Sequence, residues 1–241
     1  MVAPAQHQPA FVLHRRAYRE TSAIVEYLTR DFGRIAAVVR GVRGRGRNRR
    51  AEPFDLLSIG WRGRGQLVTV TDTEPVHSRV LVGERLYAGL YLNELLTRTL
   101  RHEDPAPTLF EQYDAALGLL AAAGDMEAAL RCFERRLLEE IGYAIPLDVE
   151  AERGEPLQAD LHYRFDGEGF RPLRSDLGDA VRRGVVGRGA DIAAIAADDY
   201  SRPEVRRLAK RLFRHALHPH LGATPLRTRQ LIRQAYHRPP Q

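Results

Sequence analysis

The sequence predicts an α+β fold: a small five-stranded barrel, then an α-helical domain that carries a small irregular insertion. Three observations lead there. Short apolar runs at strand spacing crowd the first third of the chain, leucines at helical spacing take over beyond residue 80, and residues 147–175 follow neither period.

The strands come first. Residues 10–14, 23–28, 34–39, 54–59 and 66–71 each hold a brief apolar or alternating run. Asp31-Phe32-Gly33 supplies a hairpin turn between the second and third runs, and Arg62-Gly63-Arg64-Gly65 one between the fourth and fifth. Five strands with one long basic connection have the outline of an OB-fold, whose strands and loops bind oligonucleotides. The domain bounds expected from the change of period are 1–80 and 81–241.

Three helices follow. Leu86, Leu90, Leu92, Leu95, Leu96 and Leu100 mark the first, Leu109, Tyr113, Leu117 and Leu120 the second, and Leu130, Phe133, Leu137, Leu138 and Ile141 the third. Gly124-Asp125 separates the second from the third, and Gly142 ends the third. After the insertion, helices resume over 190–197, over 203–217 with Pro203 in a first turn, and over 227–236.

Charge is concentrated. The 241 residues include 37 Lys and Arg against 31 Asp and Glu, a net charge of +6. Residues 40–50 alone hold six arginines and no acid, so the rest of the chain sums to neutral. A gly-spaced run of guanidinium groups suits a phosphate backbone, because glycine lets the chain follow an irregular strand while each planar fork contacts phosphate bidentately. The bland alternative is a solvated charge run.

Cys132 is the single cysteine, which excludes an internal disulfide or a thiolate zinc cluster and suits a reducing compartment. A polar N-terminus and the lack of any 18-residue apolar run point to a cytoplasmic chain that does not enter a membrane. Little supports catalysis. Gly41, Gly44 and Gly46 lack the Lys-Ser/Thr of a nucleotide loop, and His218-Pro219-His220 has no third metal ligand nearby. Asp72 and Glu74 share a strand face, which keeps a metal-dependent nuclease as a minor reading beside solvated surface. No cofactor, metal or enzymatic activity is expected.

Several stretches carry a resemblance: Tyr18-Arg19-Glu20-Thr21-Ser22, residues 29–34 (Thr-Arg-Asp-Phe-Gly-Arg), residues 39–43, Pro53-Phe54, residues 61–67, residues 86–96, residues 130–143 and residues 221–229. In this order they resemble the RecO family of bacterial recombination mediators, over residues 10–236. The resemblance implies an OB-fold followed by a helical domain, binding of single- and double-stranded DNA, and annealing of complementary strands. It also implies partnership with RecR and binding to the acidic C-terminal tail of single-stranded-DNA-binding protein, through which RecA is loaded on coated strands. Some members carry four zinc-binding cysteines in the insertion; residues 147–190 here contain none, so no structural zinc is expected.

The residues expected to contact DNA are Arg34, Arg40, Arg43, Arg45, Arg47, Arg49, Arg50, Trp61, Arg62, Arg64 and Lys210. Trp61 is either a stacking platform beside Arg62 and Arg64 or a buried aromatic. Lys210 lies with Arg206, Arg207, Arg211 and Arg214 on a second basic helix face. Arg131 matches the family's position for a basic residue lining the tail pocket, with Leu130 beside it and Phe110, Tyr113 and Leu117 as candidate walls. Pairing of Arg131 with Glu127 or Glu134, and core packing of the three apolar residues, are the alternatives. An RNA-binding OB-fold chaperone is the runner-up function.

Overall fold

The computed structural model describes residues 4–41, 51–173 and 184–236. β3 (Gly33–Val39) shows why the N-terminal strands curl into a barrel: Gly33, Ile35, Ala37 and Val39 are buried while the residues between them are not, so one face of every strand must be covered. β1 (Ala5–Tyr18), β2 (Ser22–Thr29), β3, β4 (Leu56–Arg62) and β5 (Leu67–His77) close in the order β1-β2-β3-β5-β4. β3 and β5 run parallel, and β1 seals the barrel against β4. This is the OB-fold arrangement. Val12, Val25, Tyr27, Ile35, Ile59, Trp61 and Val68 fill the interior, each large apolar side chain contributing about 1.5–3 kcal/mol by its burial.

β1 is longer than residues 10–14. Ala5–Phe11 pairs with β4, and Ala10–Tyr18 pairs with β2, with a register shift between Val12 and His14. The bulge lets one strand serve two neighbours. His14, Arg15 and Arg16 are exposed, so this end of the strand has no apolar period to read. At the β2–β3 turn, the Thr29 hydroxyl donates to the Gly33 carbonyl at 2.7 Å and accepts from the Phe32 amide at 3.2 Å. Gly33 has φ +64°, and a Cβ there would lie 2.0 Å from the Asp104 carbonyl oxygen; no side chain fits.

The helices are α1 (Glu84–Thr99), α2 (Pro107–Ala121), α3 (Met126–Glu140), α4 (Gly189–Ala196), α5 (Pro203–Leu217) and α6 (Arg227–Tyr236). None among the described residues is long and apolar enough to cross a membrane. The chain divides into two units, Met1–Gly124 with Ala223–Gln241, and Asp125–Gly222.

In the first unit the barrel packs on α1 and α2. Asn93 donates to the Leu13 carbonyl at 2.8 Å and accepts from the Tyr113 hydroxyl, while the Phe11 ring sits 4.9 Å from Phe110 and 5.0 Å from Tyr113. α6 docks on α1 through Glu94, whose carboxylate accepts from the backbone amides of Arg227 and Thr228 at 2.8 and 2.9 Å and from the Thr228 hydroxyl at 2.7 Å. A carboxylate capping those amides also meets the positive end of the helix dipole. Burial raises the Glu94 carboxyl, but the bonds from Thr228 and Arg227, with Arg98 beside it, outweigh burial and hold it below its ordinary value.

In the second unit, Asp125 caps α3 by accepting from the Ala128 amide at 3.0 Å. Gly142 turns the chain out of that helix with φ +84°, and Tyr143 donates back to the Leu138 carbonyl. The insertion contains β6 (His162–Phe165) and β7 (Phe170–Pro172), which join β8 (Val185–Arg188) in a sheet of order β7-β6-β8. The β6–β7 turn is tied by Asp166, which accepts from the Glu168 and Gly169 amides at 3.0 Å.

Candidate nucleic-acid interface

Register alone brings arginines together on the outside of the barrel. Arg16 pairs with Ile24, Ile24 with Val38, Val38 with Thr69, and Thr69 with Arg62. Neighbours across a sheet share a face, so Arg16 and Arg62 end one outward row that spans all five strands. In the adjoining row, Ala23, Val39, Val70 and Trp61 point into the core. Arg40 follows Val39, so its side chain falls on the outward parity at the exit of β3. It is exposed, as are Arg19 in the β1–β2 turn and Arg64 in the β4–β5 turn.

These cations are differently engaged. Arg16, Arg62 and Arg64 make no ion pair among the described residues, whereas Arg15 pairs with Glu52 at 2.8 Å. The Arg19 guanidinium lies 5.1 Å from the centroid of the Tyr18 ring, a contact that holds the side chain without neutralising it. Arg43, Arg45, Arg47, Arg49 and Arg50 lie outside the described residues.

Two residues expected at DNA serve the fold instead. Trp61 is 2% exposed and meets Phe32 edge to face at 5.2 Å; its place in the inward row leaves no ring face for a base. Arg34 faces outward, but there the exterior is covered by the chain after α1. Its Nε and Nη2 donate to the Leu100 carbonyl at 3.2 and 3.1 Å, and its Nη1 meets Glu26 at 3.1 Å. Little of the guanidinium is left to a ligand.

On the second basic helix face, two of the cations are occupied. Lys210 pairs with Glu127 at 3.1 Å, and Arg206 with Asp125 at 2.7 Å. Arg131 pairs with Glu134 at 2.9 Å, with the two side chains 5% and 1% exposed, and Leu130 is buried beside it. Phe110, Tyr113 and Leu117 are fully packed; the first two meet Phe11 tilted and edge to face, which makes them core and not groove walls. Burial pushes the Tyr113 hydroxyl well above its ordinary range, more than the opposing Arg79 charge and the Asn93 bond lower it.

Sequence reasoning missed Arg16 and Arg19 as members of the basic surface. The available signal was parity: once Leu57, Ile59 and Trp61 are read as an inward set, Arg62 must face out, and the strand paired through its row carries Arg16. Among the described residues no three His, Cys, Asp or Glu side chains converge as metal ligands would.

Residues 3–79 match the family described as Recombination protein O N terminal, and residues 81–230 that described as Recombination protein O C terminal. The chain is 44% identical over 230 residues to DNA repair protein RecO of Pseudomonas aeruginosa strain LESB58, covering 95% of each. It is 42% identical over 233 residues to the protein of that name from Halorhodospira halophila, covering 95% of this chain and 97% of the relative. Against the one from Ralstonia nicotianae it is 43% identical over 237 residues, covering 95% and 86%.

Proposed function

Because the chain belongs to the RecO family, we propose that it is a DNA repair and recombination mediator that binds strands on the arginine-bearing exterior of its barrel. It binds single- and double-stranded DNA, anneals complementary strands, and assists RecA in replacing single-stranded-DNA-binding protein. In this reading residues 1–80 hold DNA, residues 81–241 hold the partners RecR and the tail of single-stranded-DNA-binding protein, and the chain works in the cytoplasm at the nucleoid.

The observation that carries the reading is the outward row with Arg16 and Arg62 at its ends. Arg40 and Arg64 share that surface, and the five arginines of residues 42–50 follow Arg40 in sequence. With Trp61 inside the barrel, the described surface offers phosphate contacts more than stacking platforms, so binding is dominated by counterion release. Contact with about six phosphates gives a salt slope on the order of −4 for a single strand.

Annealing follows from the same physics. Two strands repel through their phosphates, and guanidinium groups that neutralise those phosphates let the strands approach while the base edges stay free to pair. No covalent step is required. A buried Arg131–Glu134 pair supplies a tail pocket only if a ligand carboxylate takes over the guanidinium from Glu134.

The test is annealing of complementary strands precoated with single-stranded-DNA-binding protein, with and without this chain. Acceleration that falls steeply with salt is the expected result. An absence of acceleration at low salt would overturn the proposal, and magnesium-dependent loss of a labelled strand would replace it with a nuclease.

A further inference from the structure

The second unit contains a cleft of about 370 Å³ between β8 and α5. Gly187 brings the two elements together, since a Cβ there would lie 2.5 Å from Leu208 Cδ2. Val186 and Leu208 give the cleft an apolar floor, and Arg207 and Arg211 stand over it one helical turn apart.

The charges around this cleft are not balanced. Its two acids, Asp191 and Glu204, are both taken by Arg202, at 2.9 and 3.7 Å, and Arg188 is paired with Asp160. Arg207 and Arg211 have no carboxylate partner among the described residues. Arg207 Nε donates to the Pro203 carbonyl at 3.3 Å, and Arg211 Nη2 donates to the Gly184 carbonyl. A guanidinium has five N–H donors, so most of both forks remain for a ligand. Like charges one turn apart on a helix repel, and an anion between them reverses that cost.

We infer that this cleft is a second phosphate site, taking one nucleotide of a DNA strand with its phosphodiester between Arg207 and Arg211 and its sugar or base against Val186 and Leu208. A volume of this size lies in the range of small-ligand sites. Charge spacing favours a nucleic acid over an acidic peptide: with Asp191 and Glu204 held by Arg202, two arginines are left, which match the one charge per nucleotide of a strand and not the clustered carboxylates of a peptide. The inference rests on the strand-binding reading above and extends it, because an annealing protein with phosphate sites on both units can hold two strands independently.

The test uses the full chain and a fluorescent oligothymidylate, with anisotropy read across a salt series. Replacing Arg207 and Arg211 together with Ala should flatten the slope by about 1.4, from two single-strand phosphate contacts. Arg207→Ala alone, at an exposed position whose hydrogen bond among the described residues is to its own helix, should flatten it by about 0.7 and serves if the double variant does not fold. An unchanged slope in a folded variant overturns the inference. So does loss of binding to a hexa-aspartate peptide or to thymidine monophosphate with the strand slope intact, which would make the cleft a peptide or free-nucleotide site. If instead Arg16, Arg62 and Arg64 prove dispensable for binding while Arg207 and Arg211 do not, the barrel reading fails and this one stands. A wild-type chain with no salt-dependent strand binding overturns both.

Discussion

On the barrel exterior, Arg16, Arg62 and Arg64 face solvent without an ion pair among the described residues. In the second unit the arginines of α3 meet carboxylates at helical or tertiary distance: Arg135 and Arg136 share Glu139 and Asp198, and Arg131 takes Glu134. The two regions are both rich in arginine and differ in where the acids stand. A strand places its neighbours on alternate faces, so an arginine row meets a carboxylate only if the adjoining strand supplies one. A helix places residues three and four apart side by side, and Glu at those spacings neutralises the charge locally. Charge count therefore does not locate a binding surface; uncompensated charge does.

Four experiments bear on that contrast, in falling order of their overall effect on stability or binding. Arg131→Ala takes the guanidinium away from the buried Glu134 carboxylate, and should lower unfolding free energy by about 3–5 kcal/mol, read from the denaturant midpoint. A small change would mean that the pair is held open for a partner.

Next, Glu94→Ala removes the cap of α6 and should cost about 1–2 kcal/mol. It also tests a pH dependence. The carboxyl is lowered in the folded chain, so its contribution is complete above the unfolded value of about 4.3 and disappears as pH falls through the folded value. The Glu94→Gln chain should lack this acid-side loss, and an identical acid titration of stability in both chains would contradict the assignment.

The triple replacement of Arg16, Arg62 and Arg64 by Ala should barely move the unfolding midpoint while flattening the single-strand salt slope by about 2. Equal loss of stability and binding would show that the row is structural. Smallest of all, Lys210→Ala removes one exposed pair, worth less than about 1 kcal/mol, and should leave the slope intact; a fall in slope would place the α5 ammonium at DNA.

Much of this architecture is legible before any coordinates. The five strands, both hairpin turns, the Pro203 start and the Gly142 stop follow from period and punctuation, because those features are local. Long-range pairing was not legible. Arg34 looks like any exposed strand arginine until Leu100, 66 residues away, supplies its acceptor. Phe110 and Tyr113 carry the spacing of a helix face whether that face lines a groove or packs on Phe11. Trp61 was decidable, since Leu57 and Ile59 share its parity, yet its neighbours Arg62 and Arg64 pull the eye to the surface. Arg16 was hidden because a strand segment exposed on both faces and preceded by a bulge presents no apolar alternation.

The clasp between Glu94 and the start of α6 has a consequence for the timing of synthesis. Residues 223–236 belong to the same unit as the barrel, yet the ribosome delivers them only after the whole of Asp125–Gly222. At roughly 5–20 residues per second, the barrel waits on the order of several seconds to tens of seconds with the α1 surface under Glu94 uncovered. During that interval the nascent chain carries an unoccupied helix-docking face, and the second unit has time to fold before the first is finished.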